Sequence, residues 1–152
     1  MQHWLMKSEP DVFSIDDLKT MPGRTDKWEG VRNYQVRNMM RDAMAVGDLA
    51  FFYHSNCKQP GIAGIIKIVR RGYPDFTAFD PKARYFDPKS DPSNPRWYMV
   101  DVRFVRKLKR VIPLTELKTH DALSELPLLR RGNRLSIMPV SNEHWNYILA
   151  LE

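Results

Sequence analysis

Cysteine is almost absent from this chain of 152 residues, with Cys57 standing alone. That count excludes a disulfide framework and a multi-cysteine zinc site. A reducing compartment, the cytoplasm or else the nucleus, is the expected location. No apolar run approaches the ~18–20 residues needed to cross a bilayer, so no membrane partner is expected. The opening MQHWLMKSEP lacks the basic-then-apolar layout of a secretory leader and is expected to be mature protein. His3, His54, His120 and His144 are scattered, with no H-x-x-x-H pair, so no metal site is expected. GIAG (61–64) matches neither a P-loop nor G-x-G-x-x-G. A G-x-S-x-G elbow is missing too. His54 lies near Cys57 in HSNC, but nearness in sequence does not set a base against a thiol. Glu9, Asp11, Asp16 and Asp17 read as turn and helix-start carboxylates, so no catalytic residue is assigned. Repeats, heptads and low-complexity tracts are absent, and a monomer is expected.

What is present fits one domain over residues 1–152, at 17.9 kDa with 43% hydrophobic residues. The net charge of +6 is unevenly spread. Residues 1–30 hold four Lys/Arg against six Asp/Glu, and the remainder holds 20 against 12. The excess concentrates in VRFVRKLKR (102–110) and LRRGNR (129–134). Such tracts favour polyanions, and phosphate backbones in particular. A solvated basic surface without a partner is the alternative.

Strand signals outnumber helix signals. HWLMK (3–7), LAFFYH (49–54), GIAGIIKIVR (61–70), WYMVDVRFVRKL (97–108) and SIMPVS (136–141) read as extended. The apolar centre of 61–70 predicts burial on both faces. Ser14, Pro113 and Ser141 are placed to open short helices. From Asn33 a helical period aligns Val36, Met39, Met40 and Ala43 on one face. Residues 73–95 hold five prolines and five aromatics, which predicts an ordered loop laid over the core. Without regular βαβ alternation, the pattern predicts an α+β fold. Its centre is a small β-barrel, mostly antiparallel or mixed, flanked by helices.

One stretch is chemically unusual. KWEGVRNYQVRN (27–38) gathers two aromatics, two arginines and three carboxamides around Gly30. Aromatic rings stack on nucleobases for about 1–3 kcal/mol per base, and carboxamides match base edges. Trp28 then serves as plate, Asn33 and Gln35 as readers, and Arg37 and Arg41 as phosphate contacts. The competing reading makes Trp28 and Tyr34 packing residues and Asn33 a helix cap.

Across the chain, WLMKSEPDVFSIDDL, WEGVRNYQVRN, FFYHSN, GIAGI, DPKSDPSNPRWYMVDVRF and LSIMPVS resemble, in order, the EVE domain of the PUA-like superfamily. The resemblance implies a small β-barrel with surrounding helices and a binding module without cofactor. Related YTH and PUA modules bind RNA, and EVE-type modules are associated with modified DNA bases. Lys7-Ser8 and Trp28 fall where YTH domains carry a Lys-Ser pair and a first cage tryptophan. Carried over, Trp28 is the stacking wall, with Asn33 and Tyr34 beside it. Ser8 and Glu9 meet the base edge, and His54 and Ser55 end a strand aimed at the same cavity. Asp75, Tyr85 and Ser136 join from the proline-rich loop and from LSIMP. Trp97 is included too, with plain packing as its rival, while Trp4 and Trp145 are core.

Three functions follow. The first is a reader of a modified nucleobase, 5-substituted cytosine in DNA ahead of RNA, with the base flipped into the pocket. Lys7, Arg37, Arg41, Arg103, Arg130, Arg131 and Arg134 would then hold the backbone. The second is an RNA-binding PUA- or YTH-like module using the same residues. The third is a small nucleoside- or nucleotide-acting hydrolase, which requires His54, Glu9 and Asp75 to meet as acid and base.

Overall fold

In the computed structural model, which describes residues 1–152 throughout, the alternation in HWLMKS becomes strand β1 (His3–Ser8). Trp4 and Met6 enter one core and Leu5 the other. Strand β2 (Thr25–Lys27) follows a short turn of 3-10 helix. Then come β3 (Leu49–His54), β4 (Gly61–Pro74), β5 (Tyr98–Pro113) and β6 (Ile137–Val140). They form one mixed sheet in the order β2-β5-β4-β3-β1-β6, parallel only between β1 and β3. β2 and β6 are its free edges, so the hydrogen-bonded sheet is not closed into a barrel.

Both faces are covered. On β3, Ala50 and Phe52 point to one core while Phe51 and Tyr53 point to the other. On β4, Ile66 and Ile68 oppose Ile62 and Ile65 in the same way, as its apolar centre predicts. Helix α1 (Ile15–Thr20) closes the first core with Ile15 and Leu18. Its start is a capping box, in which Ser14 accepts from the Asp17 N–H and Asp17 accepts from the Ser14 N–H. Helix α3 (Leu114–Leu117) and helix α4 (Asn142–Leu149) cover the second core. There Trp145 stacks on Phe51, with ring centroids 3.9 Å apart.

Helix α2 (Tyr34–Asn38) departs from the expected face. It runs into a π-turn over Met39–Ala43, closed by a bond from the Met44 N–H to the Met39 carbonyl at 2.9 Å. The wider turn sends Met44 inward after Val36 and Met40 and leaves Ala43 exposed. The bulges along β4 and β5 bend the two longest strands, and Gly72 of β4 passes against the Met40–Arg41 backbone with no room for a side chain.

The His54 imidazole, at the end of β3, ties the sheet to α1. Its Nε2 accepts the Ile15 N–H at 3.1 Å, so the neutral ring is the form that fits. Burial lowers its pKa from the ordinary value, with the Asp16 charge opposing that shift. The folded protein therefore takes up this proton less readily than the unfolded chain, whose histidine titrates near ~6.5. This contribution to stability is complete above that pH and is lost as pH falls below it. Urea midpoints measured from about pH 7 to about pH 5 are expected to fall, and His54→Gln to flatten that part of the profile.

Candidate functional site

The sheet's topology gathers three strand termini. Because β1 and β3 are parallel, their last residues, Ser8 and His54, are register partners at one end of the sheet. Because β6 is antiparallel to β1, its start lies at that same end. The Ser55 N–H donates to the Ser8 carbonyl at 3.0 Å, and the Lys7 N–H to the Ser136 carbonyl at 2.8 Å. Above these ends opens a cavity of about 920 Å³. Lys7, Ser8, Glu9, Ser55 and Ser136 form its sheet side.

The opposite walls come from the loop after β2 and from the proline-rich loop. Trp28 is only 8% exposed and packs edge-on against Phe52 at 5.5 Å, yet it borders the cavity. Packing residue and cavity wall are thus one and the same here. Tyr85 is a second aromatic wall, and Val12, Phe13 and Val31 supply apolar surface.

What sets Trp28 against Tyr85 is Asp75, which has no exposed surface. Its Oδ2 accepts the Gly30 N–H at 2.9 Å and the Arg32 guanidinium at 3.1 Å. Its Oδ1 accepts both the Thr77 N–H and the Thr77 hydroxyl. A buried carboxylate is tolerable only when bonded in this way. Arg32 then donates to the Tyr85 carbonyl at 2.6 Å and lies over the Tyr85 and Trp97 rings. Gly30 has φ +83°, and a Cβ there would lie 2.6 Å from the Tyr85 ring. Only glycine lets the two loops meet so closely.

The polar groups of the cavity differ in how far they are occupied. Ser8 donates its hydroxyl to the Phe13 carbonyl at 2.6 Å, which leaves it acceptor capacity. Glu9 accepts from the Asn56 amide at 3.1 Å. The Lys7 ammonium is half-buried, and burial lowers its pKa. No polar side-chain atom is sealed in without a partner, so the Ser55 and Ser136 hydroxyls, unbonded within the chain, open to the cavity. Lys27 bridges Asp26 and Glu29 at 3.9 and 3.8 Å along the rim.

Several expected site residues lie elsewhere. Asn33 is the cap of α2, its Oδ1 accepting the Val36 N–H at 3.0 Å, and it does not line the cavity. Tyr34 stacks on Trp97 at 4.8 Å, outside the cavity. Trp97 is packed in place, its indole N–H donating to Asp87 at 2.6 Å. His54 is occupied by α1, and Asp75 supports the wall without lining it. His54, Glu9 and Asp75 each bond to separate partners, so the acid–base set the hydrolase reading needs is not assembled. Arg37 donates to the Arg96 carbonyl and to Asn38, and Arg41 pairs with Asp42. Arg103 is exposed on β5 and does not line the cavity. Arg134 does line it, whereas Arg130 and Arg131 do not. Arg32 escaped the sequence reading. The available signal was Asp75 itself, since an acid in a loop dense with apolar residues needs a cation, and VRN supplies one beside the essential glycine.

The EVE domain family model matches residues 2–151. Thymocyte nuclear protein 1 of Homo sapiens is 52% identical, over 99% of this chain and 73% of its own length. Among solved structures, a Pseudomonas putida protein superposes with a TM-score of 0.92 at 52% identity, covering 98% of both chains. Human THYN1 protein, in complex with 5-methylcytosine containing DNA, superposes with a TM-score of 0.95 at 50% identity. That match covers 99% of this chain and 97% of the human one.

Replacing Asp75 by Asn keeps the shape, removes the charge that Arg32 pairs with and sets an amide NH2 against groups that are all donors. A loss of about 2–4 kcal/mol in urea unfolding is expected, near the cost of breaking a buried ion pair. A loss below about 0.5 kcal/mol would show that Asp75 does not hold these loops.

Proposed function

The chain belongs to the EVE domain family, and from that premise we propose that it is a nucleic-acid-binding module, one domain over residues 1–152, that reads 5-methylcytosine in DNA. The observation that carries this reading is a cavity in which aromatic walls and cytosine-edge partners occur together. The DNA complex of the human relative supports the choice of ligand.

The base leaves the stack and enters beside Trp28 and Tyr85. Flipping costs a few kcal/mol, and stacking returns about 1–3 kcal/mol per base. Edge contacts must supply the rest. Cytosine presents an N4 amino donor beside the N3 and O2 acceptors. Glu9 accepts from N4, as carboxylates do on cytosine edges. Lys7 and the Ser55 and Ser136 hydroxyls donate to N3 and O2. The 5-methyl group rests on the apolar wall of Val12, Phe13 and Val31. Burying one methyl is worth about 0.8 kcal/mol, or roughly fourfold in affinity. On this reading the module binds the base, with Glu9, Lys7, Ser55 and Ser136 as its edge contacts.

Titrations with an oligonucleotide carrying one 5-methylcytosine and with its unmodified twin test this. The methylated probe is expected to bind at least about fourfold tighter. Trp28→Ala should weaken it by about tenfold or more. Because Trp28 also belongs to the core, Tyr85→Ala is the companion variant, removing the second wall from the loop side. Equal affinity for both probes, unchanged by either variant, would refute the reading, and tighter binding to a matched RNA would move it to RNA.

A further inference from the structure

The basic tracts differ in what their charges already do. Along β5, Arg106 pairs with Glu152 at 2.6 Å, Lys107 with Asp16 at 2.9 Å and Arg110 with Glu116 at 2.6 Å. Beside α2, Arg37 and Arg41 are bonded within their own segment and to the Arg96 carbonyl. In LRRGNR the guanidiniums of Arg130, Arg131 and Arg134 are exposed, and none meets a carboxylate. Three of the five cations in the β5 tract are thus paired, whereas none of the three in LRRGNR is.

These three arginines line a second cavity of about 520 Å³, between Gln35 and Met39 on one side and the 127–135 loop on the other. The loop is knitted into a fixed turn. Asn133 donates through Nδ2 to the Pro127 carbonyl at 2.6 Å and accepts the Leu135 N–H through Oδ1 at 2.9 Å. Gly132 supplies the positive φ, +80°, that this turn contains. Arg134 lines both this groove and the cavity bounded by Trp28, so one side chain borders the two.

We propose that this groove is the strand track of the protein. It takes the nucleotide next to the flipped base, with the phosphodiester against Arg130 and Arg131 and the shared phosphate at Arg134. The flanking base lies on Met39 and Pro127, with the Gln35 amide at its edge. The inference rests on the base-reading function of the adjoining cavity and adds to it the path of the strand. It also separates two properties that one site would merge, because phosphate contacts fix affinity and salt dependence without carrying sequence information.

The test is binding measured by fluorescence anisotropy from about 50 to about 200 mM salt. The probes are the methylated oligonucleotide and its unmodified twin. Three proteins are compared: wild type, R130A/R131A, and R106Q/R110Q, which removes two charges already paired. R130A/R131A is expected to reduce the slope of log affinity against log salt by about two for both probes, one unit per lost phosphate contact. The preference for the methylated probe should persist, and R106Q/R110Q should keep the wild-type slope. All replaced side chains are exposed, and a thermal melt checks that each variant is folded. A wild-type slope in R130A/R131A, or the same loss in R106Q/R110Q, would overturn the track. Equal affinity for the two probes with the slope loss retained would refute the base reading and leave the groove standing as a backbone site.

Discussion

The buried Asp75 carboxylate is the constraint on which the site depends. It joins two segments that sequence holds far apart, the loop after β2 and the loop after β4, through Gly30, Arg32 and its own neighbour Thr77. A charge without solvent contact has few stable arrangements, and each requires every lone pair to be met. Meeting them fixes where Trp28 and Tyr85 stand. Gly30 beneath the Tyr85 ring and Arg32 on the Tyr85 carbonyl then make the two walls one unit. A wall ordered before the ligand arrives spares the ordering cost that a mobile loop would incur on binding.

The sheet supplies the other half of the cavity by topology alone. A parallel β1–β3 pair flanked by antiparallel β6 brings Ser8, Ser55 and Ser136 to one end, together with Lys7 and Glu9. Aromatic surface comes from loops and polar surface from strand ends. Charge is divided in a similar way: acids of the fold pair with Arg106, Lys107 and Arg110 of the β5 tract, while the 129–134 turn keeps its cations free next to the cavity.

Much of the scaffold was legible in the residues. LAFFYH reads as a strand and is β3 over those same residues, and Ser14 and Ser141 cap the helices their positions predict. Local chemistry decides such features, and local chemistry is what a sequence displays. TDK was passed over because three polar residues on a sheet edge carry no alternation. The π-turn was missed because an i+5 bond leaves no compositional mark, and Met44 took the place expected of Ala43. At the site, Ser8, Glu9, Trp28, Ser55, Tyr85 and Ser136 do line one cavity. Asn33, Tyr34, His54, Asp75 and Trp97 do not, and the cause is common to all five. Each has chemistry suited to a ligand, and each has a partner inside the fold that only tertiary structure reveals. Arg32 is the reverse case, a residue that looks like surface charge and is the clamp.

The site depends on its walls being held together in the free protein, and the Gly30 amide reports on that directly. Its N–H donates to a buried carboxylate, although it lies in a loop. Amide hydrogen exchange on the unliganded protein should find Gly30 protected to nearly the level of the Trp28 amide, which donates to the Val100 carbonyl at 2.8 Å. Exchange of Gly30 at the rate of an open loop, with Trp28 protected, would contradict a preformed cavity and leave its walls to be assembled by the ligand.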